Sequence, residues 1–191
     1  MAGTPFHGTH CSGIIAAARN NDKGMDGIAD NVRIMMLRAV PDGDEHDKDI
    51  ANAIRYAVDN GAKVVSMSFG KDFSPKKQWV DEAIRYAEAK GVLLVIAAGN
   101  DSKNVDENPS FPSPFYNNDA GRASNVIMVG ASGNSNNGGI TASFSNYGKT
   151  TVDVFSPGVG IYSTIPGGNK YGNASGTSMA CPVVAGIASL I

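Results

Sequence analysis

Gly172-Asn173-Ala174-Ser175-Gly176-Thr177-Ser178-Met179-Ala180-Cys181-Pro182, continued by Val-Val-Ala-Gly-Ile-Ala-Ser-Leu-Ile to Ile191, is the stretch on which the reading turns. Small, turn-forming residues lead into an apolar run that carries no charge. A helix that is apolar all round is a buried helix. Gly176-Thr177 marks its start, which places Ser178 in the first turn. There the orphan backbone N–H groups and the positive end of the helix dipole favour a developing negative charge. Taken alone, such a serine reads as a helix cap. A nucleophile needs partners from elsewhere in the chain.

Working outward, the spacing predicts an α/β domain. Residues 8–19 read as a helix of small and apolar residues, broken by Asn20-Asn21-Asp22-Lys23-Gly24. Residues 32–40, with Ile34-Met35-Met36-Leu37, read as a strand. A polar loop, Asp42-Gly43-Asp44-Glu45, follows. Over 49–60 the apolar residues Ile50, Ala53, Ile54, Ala57 and Val58 fall on one helical face, and Gly61 ends the helix. Val64-Val65-Ser66-Met67-Ser68 is the next strand. Ser74-Pro75 predicts a helix start, with Ser as cap and Pro in first position. Its inner face reads as Trp79, Val80, Ala83, Ile84 and Ala87, with Gly91 as its stop. Val92-Leu93-Leu94-Val95-Ile96 reads as a fully buried strand. A Pro-, Asn- and Ser-rich loop fills 101–125. Val126-Ile127-Met128-Val129 and Val152-Asp153-Val154-Phe155 read as further strands. Strands alternating with helices at these spacings predict a parallel sheet with helices on both faces.

Composition bounds the function. The 191 residues suit one domain, and the 23 glycines suggest tight turns and close backbone approach. A net charge of −2 gives no electrostatic case for nucleic acid or an anionic membrane. No apolar run is long enough to span a bilayer. Met1-Ala2-Gly3-Thr4 has neither the basic start nor the apolar core of a leader. Two cysteines make no disulfide scaffold.

Two further blocks change the reading of Ser178. Near the start stands His7-Gly8-Thr9-His10-Cys11-Ser12-Gly13, and in the middle Ala97-Ala98-Gly99-Asn100. With the Gly176-Thr177-Ser178-Met179-Ala180 block, and in this order, they resemble the subtilisin-like serine proteases, the subtilases. Val152-Asp153-Val154-Phe155-Ser156-Pro157-Gly158-Val159 and Ile161-Tyr162-Ser163-Thr164 are similar to the family's run before its serine. The resemblance implies that His7 is the base, Ser178 the nucleophile and Asn100 an oxyanion donor alongside the Ser178 backbone N–H, with His10 structural. Serine is a poor nucleophile at pH 7 until an imidazole accepts its proton, and acyl transfer needs donors at the developing oxyanion. An α/β-hydrolase fits less well, because it wants a second Gly where Ala180 stands.

The resemblance also implies a peptide or protein substrate bound as an extended strand along Ser68-Phe69-Gly70. Ala97-Ala98-Gly99 would wall the pocket beside it. Those walls carry no charge, which points to an apolar preference. No cofactor is required by this chemistry. Asn20-Asn21-Asp22 stands where relatives place a structural calcium loop, and its oxygens suit calcium. It is also an ordinary turn sequence. Most relatives are exported, so the resemblance implies a secreted or envelope protein.

The family's triad has an Asp before the His, in an Asp-Thr/Ser-Gly motif. Six residues precede His7 and none is acidic. The expectation is a piece of a subtilase catalytic domain over 1–191, incomplete at both ends and lacking the first strand. It would need the missing N-terminal segment or a second copy as partner. A peptide-binding pseudoprotease that keeps the cleft is the competing reading. Finally, Cys11 lies one turn after His7 and Cys181 one turn after Ser178, so the two cysteines should be neighbours beneath the site. Helix packing at roughly 8–10 Å favours two reduced thiols over a disulfide.

Overall fold

The computed structural model describes residues 5–40, 43–133 and 140–191. Residues 1–4, read above for a leader, and Asp42 of the polar loop lie outside the described residues. Helix α1 spans Phe6–Ala16 and α2 Asp47–Asp59. Strand β1 is Val64–Met67, α3 is Lys77–Ala89 and β2 is Leu93–Ala97. Strands β3, Val126–Ser132, and β4, Val154–Pro157, complete a four-stranded sheet in the order β1-β2-β3-β4. Every pairing in it is parallel. A separate antiparallel hairpin, β5 Ile161–Ile165 with β6 Lys170–Ala174, leads into α4, Thr177–Ala188.

The alternation along β2 shows why helices are needed on both faces. Leu94, Ile96 and Ala98 join one buried cluster with Ile50 and Ile54 of α2 and Val80, Ala83, Ile84 and Ala87 of α3. Val95 and Ala97 join another with Val129, Ala131 and Ala180, Cys181 and Ala185 of α4. Leu94, Ile96 and Ile84 are fully buried, and each such side chain contributes about 1.5–3 kcal/mol relative to exposure. The expected α/β sheet with helices on both faces is therefore present.

Several local expectations are corrected. Residues 32–40 form no strand. A strand exists through ladder bonds to a neighbour, and no described strand pairs with this segment; Ile34, Met35 and Met36 are exposed. Helix α3 begins at Lys77 rather than at Ser74-Pro75. The Ser74 hydroxyl is spent on Asp47 Oδ1 at 2.7 Å, so it caps nothing. Trp79 faces outward, beneath the Lys76 ammonium, and is not part of the inner face. Helix α4 is buried on its sheet face, but Ile187 and the following Leu190 and Ile191 are exposed.

The Asn20–Gly24 region closes as a turn. Asn20, Asp22 and Gly24 take positive φ, and the side-chain oxygens of Asn21 and Asp26 accept backbone N–H bonds from Lys23 and Asn20. Among the described residues no group of three or more His, Cys, Asp or Glu side chains is arranged to hold a metal ion.

The loop after β2 is tied down by Asp106. Its carboxylate accepts the backbone N–H groups of Lys149, Thr150 and Thr151 and the hydroxyls of Thr150 and Thr151. These bonds, the Thr151 hydroxyl foremost, hold its pKa down at about 2. A carboxyl depressed in the folded state stabilises above its unfolded pKa and loses that contribution as pH falls through the folded one. D106N is therefore expected to lower the melting temperature at pH 7. The difference from wild type should close between about pH 4 and pH 2. A difference that persists at pH 2 would show that the charge is not responsible.

Candidate active site

The site forms where the sheet's C-terminal ends meet the start of α4, as expected for an open parallel sheet. Gly176 immediately precedes α4 with φ +152°, a conformation that favours glycine. The first turn of α4 is capped from another element. Asn100 Oδ1 accepts the Thr177 N–H at 2.8 Å and the Thr177 hydroxyl at 3.0 Å. The buried Thr177 Oγ1 also accepts the Gly99 N–H at 3.2 Å. Fixing the Asn100 oxygen this way leaves its amide nitrogen as the group able to donate elsewhere. The Ser178 N–H beside it lies in the first turn, where no intrahelical acceptor exists.

Asn100 itself is positioned by Asn146, which is buried. Asn146 Oδ1 accepts the N–H groups of Asp101 and Lys103, and its Nδ2 donates to Ala98 O. Gly99, between them, takes φ +102°, and a Cβ there would lie 2.4 Å from Asn146 Nδ2. Nothing in the sequence marked Asn146, because its partners are brought to it only by the fold.

Ser178 is half-buried and faces Ser68. Its hydroxyl donates to Ser68 O at 3.1 Å, while the Ser68 hydroxyl donates to Ser178 O at 2.9 Å. No hydrogen bond joins Ser178 to His7 among the described residues. His7 is exposed, in the first turn of α1, and its Nδ1 lies 3.9 Å from Cys11 Sγ. That sulfur in turn donates to Ser178 O at 3.3 Å. Burial of part of its side chain, and then the charge on nearby His10, lower the His7 pKa below the ordinary imidazole value. His10 is fully buried, with Nε2 3.1 Å from Gly172 O, and so has the structural position expected of it.

The cysteines are both free, Cys11 half-buried and Cys181 buried. Burial pushes the Cys11 thiol up to about 12, with a smaller contribution from Cys181. Cys181 donates to Val95 O at 3.2 Å and meets the Ser66 hydroxyl. They are not bonded to each other, in line with the expectation of two thiols rather than a disulfide.

The proposed substrate walls need correction. Ala97 and Ala98 have side chains inside the two cores on opposite sheet faces, so neither methyl can line a cleft. Phe69 packs against the first core as well. Gly70 is exposed, and beyond it Lys71 forms a two-bond bridge with Phe111. What Ser68–Gly70 and Gly99 can offer a peptide is backbone and the Ser68 hydroxyl. The surroundings are also charged: Lys103 Nζ lies 2.7 Å from Asp72 and 3.9 Å from Asp101, joining the loops that follow β1 and β2. A cavity of about 410 Å³ opens elsewhere, lined by Lys77, Asp106, Phe111 and Tyr116. Its charged groups are committed to Asp81 and to residues 149–151, so it carries none of this chemistry.

The family model described as the subtilase family matches residues 3–191. The chain belongs to the subtilase family. It is 45% identical over 186 residues to the thermophilic serine proteinase of Bacillus sp. (strain AK1), covering 97% of this chain and 42% of that protein. It is 41% identical to thermitase of Thermoactinomyces vulgaris, covering 97% of this chain and 60% of that one. Among solved structures, a protease from Pseudoalteromonas arctica superposes with a TM-score of 0.81 at 34% identity, over 96% of this chain and 57% of the other. A cold-adapted subtilisin-like serine proteinase superposes with a TM-score of 0.76 at 31% identity, over 97% and 60% respectively. The chain thus spans between two fifths and two thirds of the length of these subtilases.

Proposed function

We propose that this subtilase chain carries the nucleophile, base and oxyanion donors of a serine endopeptidase. The observation that carries the reading is the lock between Asn100 and Thr177, which sets an amide donor beside the first turn that holds Ser178. Ser178 Oγ attacks the scissile carbonyl carbon as its proton passes to His7. The oxyanion is held by Asn100 Nδ2 and the Ser178 N–H. The C–N bond breaks, the leaving amine takes the proton from His7, and water then releases the acyl group by the same route in reverse. A base with a lowered pKa stays neutral, and so competent, further into the acid range. The substrate is a peptide laid against Ser68–Gly70, and the chemistry requires no cofactor. Secretion or retention in the envelope is part of the proposal; one similar protein, from Xanthomonas campestris, is named an extracellular protease.

The His7 imidazole has no carboxylate partner among the described residues. The proposal assigns that role to a further segment of the catalytic domain or to a second copy. A peptide-binding role without turnover is the second reading, favoured by the Ser178 hydroxyl being turned to Ser68 O rather than to His7.

A fluorophosphonate separates them. In wild type it is expected to form an Oγ–P bond at Ser178, with fluoride leaving and the serine proton passing to His7. S178A should abolish labelling and H7A should slow it. The acid limb of the labelling rate should bend below the ordinary imidazole pKa of ~6.5. Labelling no greater than in heat-denatured chain, or unchanged in S178A, would overturn the peptidase reading.

A further inference from the structure

Pro182 stands four residues after Ser178 within α4. In a regular helix the N–H of that residue would donate to the Ser178 carbonyl, and proline has none. The nucleophile's own backbone oxygen is thereby released from the helix ladder at a half-buried place. An unpaired carbonyl there is unfavourable. Two donors from outside α4 meet it: the Ser68 hydroxyl at 2.9 Å and the Cys11 thiol at 3.3 Å. Ser68 follows β1, and Cys11 sits on α1 one turn from His7. The proline therefore turns an internal helix bond into a junction of three elements.

We propose that Cys11 is a positioning residue: its S–H···O bond to the carbonyl vacated by Pro182 fixes α1, and with it His7, relative to Ser178. The proposal rests on the peptidase reading for its consequence and on the carbonyl geometry for its structure. The thiol's protonated state suits the role, because only S–H can donate; burial keeps it protonated at neutral pH. The neighbouring His7 Nδ1, at 3.9 Å, is the weaker alternative acceptor.

The test compares fluorophosphonate labelling rates of Ser178 in wild type, C11A, C11S, P182A and the C11A/P182A pair. C11A is expected to slow labelling about fivefold, the rate equivalent of one modest hydrogen bond. C11S keeps a donor and should recover most of that loss. In the P182A background the restored Ala N–H supplies the carbonyl, so adding C11A should slow labelling by less than about twofold. Equal penalties in the two backgrounds, or C11S no faster than C11A, would overturn the proposal, since a thiol that merely fills space predicts both. If wild type resists labelling altogether, the peptidase reading fails and the bond is read by infrared spectroscopy instead. The S–H stretch that disappears in C11A should then lie at the lower frequency of a hydrogen-bonded thiol. A band at the free-thiol position overturns the proposal independently of activity.

Discussion

Peptidase turnover of the 191-residue chain is expected to fall at least ~10⁴-fold below that of a complete subtilase such as thermitase measured beside it. The scale comes from subtilisin, a relative, where loss of the triad Asp alone costs ~3 × 10⁴ in turnover. The reason lies at His7. A triad carboxylate fixes the imidazole tautomer and stabilises the imidazolium that forms when serine gives up its proton. Here Nδ1 faces a thiol sulfur at 3.9 Å, which can do neither well. The Ser178 hydroxyl, donating to Ser68 O, must rotate before reaction. Turnover within tenfold of the complete enzyme would sink this expectation and require an acid from outside the described residues.

Substituting Asn100 with Asp should lower the fluorophosphonate labelling rate of Ser178 by ~10²–10³-fold while leaving the melting temperature nearly unchanged. The magnitude is again the value known for subtilisin's oxyanion asparagine. Asn100 has two separable tasks. Its oxygen caps Thr177 through two bonds, and Asp keeps an oxygen there. In the proposed mechanism its nitrogen is the oxyanion donor, and Asp removes it. N100A should lose both, adding a stability loss of about 1 kcal/mol typical of a deleted cap. If N100D labels like wild type, the amide plays no part in stabilising the oxyanion.

Much of this was legible in the residues. The unbroken apolar run 92–96 became β2, and the apolar faces around Ile50–Val58 and Val80–Ala87 became the buried sides of α2 and α3. Gly61 and Gly91 do end those helices, with φ of +86° and +67°. The misreading at 32–40 has a physical cause: composition reports apolar character, whereas a strand is defined by its neighbour. Of hairpin β5–β6 the sequence reading takes only Ile161–Thr164, as a motif run, because buried, half-buried and exposed residues follow one another there without a clean alternation. Ala97 and Ala98 show the limit of motif transfer. Their block lies at the correct end of β2, yet the pleat sends both methyls into the cores. The vacated carbonyl was available from the start, since Pro182 stands four residues beyond Ser178 on a predicted helix. The donors that answer it became visible only when α1 and β1 arrived.

The attachment of α1 bears on the order in which the molecule assembles. That helix carries His7, and besides local bonds such as Ser12 to Met36 it has side-chain ties to the far end of the chain. His10 reaches Gly172 across 162 residues, Ser163 reaches back to His10 O across 153, and Cys11 reaches Ser178 across 167. Closing a loop of that length costs about 4–5 kcal/mol in chain entropy, beyond the constant term, before any contact repays it. The pairing of β1 with β2, and the packing of α2 on α3, join segments much nearer in sequence. The β1–β2 and α2–α3 contacts can therefore form while α1 is still unattached. Contacts this far apart in sequence slow folding, and docking of α1 after the β1–β2 and α2–α3 contacts is the expected order. In that order a partly folded chain would hold β1, β2, α2 and α3 together with His7 still away from Ser178.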